Sequence, residues 1–169
     1  DMDGDRLCDV ATFSLAGGRR NDGFVYVYRG REPGDDPEYP DPGGLGPLPA
    51  MILAGDEPTV SQGQLGRRMV IADIDGDELA ELIMAQHGFD GEEDGTDNVG
   101  AVRVIAGGAI QGPRRSRTSI ADADWSWFGP YGGDAAGVGI SVGRFDSDEI
   151  NDLVIGAWTA KNRAEEGPS

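Results

Sequence analysis

The chain has 169 residues, enough for one ordinary domain with a hydrophobic core, and carries 31 acidic against 14 basic residues, a formal charge of −17. Such an excess argues against a nucleic-acid backbone or an anionic membrane surface as partner, since both call for basic patches. It suits metal cations, a secreted or high-salt setting, or solubility alone.

In chain order, the first element is an acidic loop, "DMDGDRLCDV", with Asp1, Asp3, Asp5 and Asp9 in ten residues. Short apolar runs follow, "FVYVY" and "PAMIL", then "ELIMA", "AVRVIA" and "DLVIGA", each broken by glycine, proline or acidic turn signals. No convincing helix-period segment interrupts them, so the fold class is all-β. No apolar run approaches the 18 residues of a membrane span, and no signal peptide is visible. The chain starts with Asp, not Met, so the expectation is that the natural N-terminus is missing. A single cysteine, Cys8, rules out an intrachain disulfide.

The pattern repeats. "DMDGDRLCDVA" at position 1 recurs as "DIDGDELAELI" at 73 and, more weakly, as "RFDSDEINDLV" at 144. The flanks repeat as well. "LGRRMVIAD" (65–73) matches "AGVGISVGR" (136–144), "NDGFVYVYRG" (21–30) matches "NVGAVRVIAG" (98–107), and "PAMILAGD" (49–56) matches "RTSIADAD" (117–124) more loosely. One unit of about 72 residues thus holds four short strands, placed in the second unit near 68–72, 80–85, 101–106 and 117–121. The predicted organisation is a partial first repeat (1–64), a second (65–135) and the start of a third (136–169). Four-stranded units at this period suggest consecutive antiparallel blades of a β-propeller.

Within each loop the acids stand at x, x+2, x+4 and x+8. Alternate side chains of a tight loop converge on one point, and the residue at x+6 can turn its carbonyl inward. Oxygen-only, multiply anionic ligation suits Ca²⁺; softer metals favour His or Cys. The candidate ligands are Asp1, Asp3, Asp5, the Leu7 carbonyl and Asp9, and then Asp73, Asp75, Asp77, the Leu79 carbonyl and Glu81. An EF-hand does not fit, because no helices flank the loops and Thr12 stands where that motif needs Glu. The third copy keeps Asp146, Asp148, Asp152 and the Ile150 carbonyl, but Arg144 replaces the first acid. This predicts a weaker metal loop, with Arg144 as an internal cation.

These residues resemble the FG-GAP repeats of the integrin α-subunit type β-propeller. "LGRRMVIADIDGDELAELIMAQ" and "AGVGISVGRFDSDEINDLVIGAW" follow the family pattern, and "GFVYVYRG" and "GAVRVIAG" match its later strand. The resemblance covers nearly the whole chain. Leu65 and Ala136 stand in place of the family's Phe, and Arg6, Glu78 and Glu149 in place of a loop Gly. It implies a ring of seven blades, the remainder supplied by the same or another chain. It also implies calcium loops at one end of the blades and partner-binding loops at the other, near 14–22, 54–64, 86–98, 121–135 and 157–169.

"ADWSWFGPYGG" (123–133) gathers Trp125, Trp127, Phe128 and Tyr131, either as a platform for a glycan or protein or as a plug between blades. His87 lacks a catalytic partner nearby, Cys8 reads as a packing residue, "RRSR" (114–117) as a local counter-charge, and the acidic loop 86–98 as solvated. No hydrolase, phosphate-loop, dinucleotide or zinc motif occurs. The expectation is a calcium-binding, non-enzymatic segment of an extracellular, cell-surface or periplasmic protein, serving adhesion or recognition. The alternatives are a portion of a secreted carbohydrate-active hydrolase or lyase, or a purely architectural component.

Overall fold

The computed structural model describes residues 1–15, 22–32, 49–55, 63–91, 97–111 and 118–160. Ten strands form: β1 (Val10–Ser14), β2 (Phe24–Tyr28), β3 (Met51–Ala54), β4 (Met69–Ala72), β5 (Glu81–Gln86), β6 (Ala101–Ile105), β7 (Thr118–Ser119), β8 (Trp125–Phe128), β9 (Ala136–Gly143) and β10 (Asp152–Ala157). A 3-10 turn, Ile120–Asp122, is capped by the Ser119 hydroxyl. The all-β expectation holds among the described residues, and no helix there is long and apolar enough to cross a membrane.

Three sheets result, ordered β1-β2-β3-β7, β4-β5-β6-β8 and β10-β9. All pairings are antiparallel except the short contact of β7 with β3. The sheets stack face to face with the β4–β8 sheet in the middle. Side chains on opposite sides of a strand alternate, and the core divides accordingly. Val25, Val27, Met51 and Leu53 of the first sheet pack with Leu82, Met84 and Ile105 of the second. On the other face, Ile83, Val102 and Val104 pack with Ile140, Val142, Leu153 and Ile155 of the third sheet. The middle strands β5 and β6 are therefore buried throughout, which is why their sequences run apolar without alternating.

The repeat has a structural counterpart at the seams. Gly23 of the first unit lies under Leu65, so close that a Cβ would stand 2.8 Å from the Leu65 backbone. Gly100 lies under Ala136 in the same way, with a Cβ at 2.2 Å from the Ala136 nitrogen. Only glycine leaves room for these approaches. Leu65 is fully buried.

The fourth strand of the second unit is not where the sequence suggested. Residues 118–119 leave their own sheet and pair in parallel with β3 of the first, Leu53 opposite Thr118 and Ala54 opposite Ser119. The outer strand of the middle sheet is β8, whose Trp125 and Trp127 lie opposite Val104 and Val102 of β6. The true counterpart of "PAMILAGD" is thus the aromatic run, which forms a strand and not a loop.

Candidate metal centres

The first acidic loop leads into β1, the second joins β4 to β5 and the third joins β9 to β10, and related sets of hydrogen bonds shape them. In the first loop Asp1 accepts from Gly4 N–H at 2.7 Å and Arg6 N–H at 2.8 Å. In the second, Asp73 accepts from Gly76 at 2.7 Å and Glu78 at 3.1 Å. Asp3 and Asp75 each accept from the residue two ahead, as do Asp5 and Asp77. Such local side-chain-to-backbone bonds are how short acids hold a chain in a turn.

The x+8 acids act as anchors. Asp9 accepts from Met2 N–H and from Gly30 N–H, the latter at 2.8 Å. Glu81 accepts from Ile74 N–H at 2.7 Å and Gly107 N–H at 3.1 Å. Each therefore ties its loop to the far end of the neighbouring β-strand. Residues directly after the third acid adopt left-handed backbone: Arg6 has φ 69°, Glu78 72° and Glu149 69°. This is the position where the resembling family carries Gly, and a non-glycine there costs on the order of 1 kcal/mol.

Side-chain oxygens of Asp1, Asp3 and Asp5 lie within 4.8 Å of one another, as do those of Asp73, Asp75 and Glu81. Oxygens sharing one Ca²⁺ at about 2.3–2.6 Å fall within such a separation. The donor set, all carboxylate, fits a hard cation. Asp9 and Asp77 lie outside these two groups and serve as backbone acceptors. The Leu7 and Leu79 residues occupy the predicted turn position, their N–H groups bound to Asp5 and Asp77 at 2.8 Å each.

Charge crowding leaves its mark. Burial raises the Glu81 carboxyl above its usual range, and Asp75 and Asp77 add to this, while bonds from Ile74 and Gly107 oppose it. Asp3 is raised in the same sense, first by burial and further by Asp9 and Asp5, with a backbone bond from Asp5 and the Arg29 charge opposing. Arg29, which pattern reading overlooked, makes an ion pair with Asp3 at 3.3 Å. Its counterpart in the second unit, one residue before Gly107, is Ala106.

The third loop keeps the frame and loses the cluster. Asp152 accepts from Phe145 N–H at 2.7 Å, Asp146 from Asp148, and Asp148 from Ile150. Arg144 cannot accept the two bonds that Asp1 and Asp73 receive, and no group of three acids gathers here among the described residues. Arg144 is exposed, and among the described residues it forms no ion pair within 4.0 Å. The internal-cation expectation finds no contact to carry it.

The loops also touch in series. Ala80 N–H donates to the Asp1 carbonyl at 2.9 Å, and the Asn151 side chain donates to the Asp73 carbonyl at 2.7 Å. Leu79 lies over Gly4 and Ile150 over Gly76.

Elsewhere, Trp125, Trp127, Phe128 and Tyr131 are exposed. Arg103, another residue that sequence reading passed over, is buried with its guanidinium 5.0 Å from the Phe89 ring centre and 4.8 Å from that of Phe128, and donates to Ser126 at 3.0 Å. Cys8 is an exposed free thiol, not the packing residue expected. His87 is held below its usual pKa, first by burial and then by Arg67 and Arg68. Phe89 and Asp90, in the loop read as solvated, are buried. The 114–117 basic run, and parts of the predicted partner-binding loops at 14–22, 54–64, 86–98 and 157–169, lie outside the described residues.

No protein-family model and no curated protein matches the chain.

Proposed function

We propose that this chain is a calcium-stabilised, non-enzymatic segment of a β-propeller of the FG-GAP, integrin α-subunit type, working outside the cell or at its surface in adhesion or in recognition of a protein or glycan. One observation carries the reading: two loops 72 residues apart in sequence share one hydrogen-bond frame, and each gathers three carboxylates. The face-to-face stacking of sheets built from equivalent strands supports the propeller reading.

Asp73, Asp75 and Glu81 would hold one cation, and Asp1, Asp3 and Asp5 another. A bound cation supplies positive charge that offsets carboxylate repulsion and stiffens the loop. The protein's own residues do the rest: Asp1 and Asp73 shape the turns, and Asp9 and Glu81 fasten them to the adjacent strand. Recognition falls to loops at the opposite end of the sheets.

Thermal melting in calcium and in chelator tests this. A ligand that binds only the folded state at 100 times its Kd adds about 2.7 kcal/mol, so the melting temperature is expected to rise by several degrees with calcium. Equal melting temperatures, together with no bound calcium by elemental analysis, would reject the reading.

A further inference from the structure

Between β6 and β8 the chain makes a detour. It pairs with β3 through Thr118 and Ser119, turns at Ile120–Asp122 and comes back to β6. One residue fixes the return. Asp124 N–H donates to the Val104 carbonyl at 3.0 Å, and the Asp124 carboxylate accepts from Ala106 N–H at 2.8 Å through Oδ2. The next N–H along, that of Gly107, is held by Glu81 from the other side. Two carboxylates therefore clamp the Ala106–Gly107 pair.

The detour leaves a groove of about 270 Å³ between the first and second sheets. Met51 and Leu53 of the first sheet and Ile105 of the second form its bottom, and all three are buried. Asp122 and Asp124 stand at its rim, and both are exposed. Among the described residues Asp122 makes no hydrogen bond or ion pair, and Asp124 spends only Oδ2, on Ala106. Small-molecule sites usually measure about 300–1,000 Å³, so this groove suits one side chain. An apolar bottom under a carboxylate rim is complementary to an aliphatic stem with a cationic tip.

We propose that the groove receives a basic side chain, lysine or arginine, from a partner protein. The stem lies along Met51, Leu53 and Ile105, and the charged tip meets Asp122 and Oδ1 of Asp124 in charge-assisted hydrogen bonds. The clamped wall at Ala106 and Gly107 is already ordered, which keeps the cost of binding low. The formal charge of −17 draws basic partners in from a distance. Because Gly107 anchors Glu81, the groove lies at the metal-loop end of the sheets, apart from the loops to which recognition was given above. The proposal needs neither that recognition nor a bound cation.

The test is a titration of the full chain, followed by the backbone amide signals, with capped Gly-Lys-Gly, Gly-Arg-Gly and Gly-norleucine-Gly. Norleucine keeps the aliphatic stem and lacks the charge. Saturable shifts at Gly107, Ala109, Thr118 and Ala123 are expected with the two basic peptides in the millimolar range, and much weaker ones with norleucine. The double variant Asp122→Asn, Asp124→Asn retains an acceptor for Ala106 N–H and is expected to bind the basic peptides about tenfold more weakly. Glu32→Gln with Glu149→Gln removes the same charge from exposed sites elsewhere and is expected to leave binding unchanged. Shifts that scatter over the acidic surface without saturating at the groove would overturn the proposal. Equal binding of norleucine would do the same, as would an equal loss in both double variants or none in the Asp122, Asp124 pair.

Discussion

The first and second acidic loops have nearly superimposable hydrogen bonds and different charge balances. Both turn on acids at the same four positions and both tolerate a charged residue at positive φ. They part at two positions. The x+8 acid is Asp9 in one and Glu81 in the other, and the extra methylene carries the Glu81 carboxylate into the acidic group while it still holds Ile74 and Gly107. The residue before the anchoring glycine is Arg29 in one and Ala106 in the other, so among the described residues the first loop has an ion pair at this position and the second does not. Local spacing sets the shape of such a loop; a residue more than twenty positions away sets its charge.

Several substitutions and one change of condition press on this difference. Glu81→Ala removes the acceptor of two backbone N–H groups at a fully buried side chain. An unsatisfied buried donor costs about 1–3 kcal/mol, so a loss of roughly 3 kcal/mol is expected by denaturant titration in chelator. Asp9→Ala is expected to cost less, because Asp9 is only partly buried.

Next in size, Arg144→Asp restores to the third loop the acceptor that Asp1 and Asp73 provide. The expected outcome is one additional calcium per chain by isothermal titration; an unchanged stoichiometry would show that the third loop fails for reasons beyond Arg144.

Acid acts on both loops in the same sense. Glu81 and Asp3 hold their protons more tightly in the fold than in the unfolded chain. The stability they contribute is fully present below the ordinary carboxylate pKa and is lost as pH rises through their raised folded values. Without calcium, Glu81→Gln is expected to flatten that loss. With calcium the sense reverses: affinity at the second loop falls as pH drops through the raised Glu81 value, which titrations across the acid range would register.

Arg29→Met frees Asp3 from its ion pair. A partly exposed pair of this kind is worth about 0.2–1 kcal/mol, so first-loop affinity is expected to rise by up to roughly fivefold, with the second loop unchanged. The smallest effect belongs to Glu78→Gly and Arg6→Gly. Each relieves a left-handed residue and is expected to add no more than about 1 kcal/mol in thermal melts, equally in both loops if their frames are as alike as their hydrogen bonds.

Much of this was readable beforehand for a physical reason. "FVYVY", "ELIMA", "AVRVIA" and "DLVIGA" are short, apolar and bounded by turn residues, and they became β2, β5, β6 and β10. Asp1, Asp3 and Asp5 were legible because side chains two apart in a tight turn can converge, but in the second loop Glu81 takes the third place in the group and Asp77 does not. The misplaced fourth strand had the opposite cause. "RTSIADAD" looks like "PAMILAGD", but Ile120 is spent covering the neighbouring sheet, and "WSWF" becomes a strand because its backbone pairs with β6. Arg29 and Arg103 were missed alike: one meets Asp3 from a strand end, the other lies between Phe89 and Phe128, and no spacing rule joins those positions.

The seams between units have a direction. Leu65 and Ala136 sit on glycines of the unit before them, Ala80 and Asn151 donate back to Asp1 and Asp73, and β7 reaches back to β3. The exception is Arg68, which donates forward to the Val138 carbonyl. A polypeptide leaves the ribosome N-terminus first, at about 5–20 residues per second. Each unit must therefore wait for the next 72 residues before its edge is closed, a delay of roughly 4–14 seconds. During translation the most recently made sheet is always the exposed one, and the order of synthesis is also the order in which the molecule is sealed.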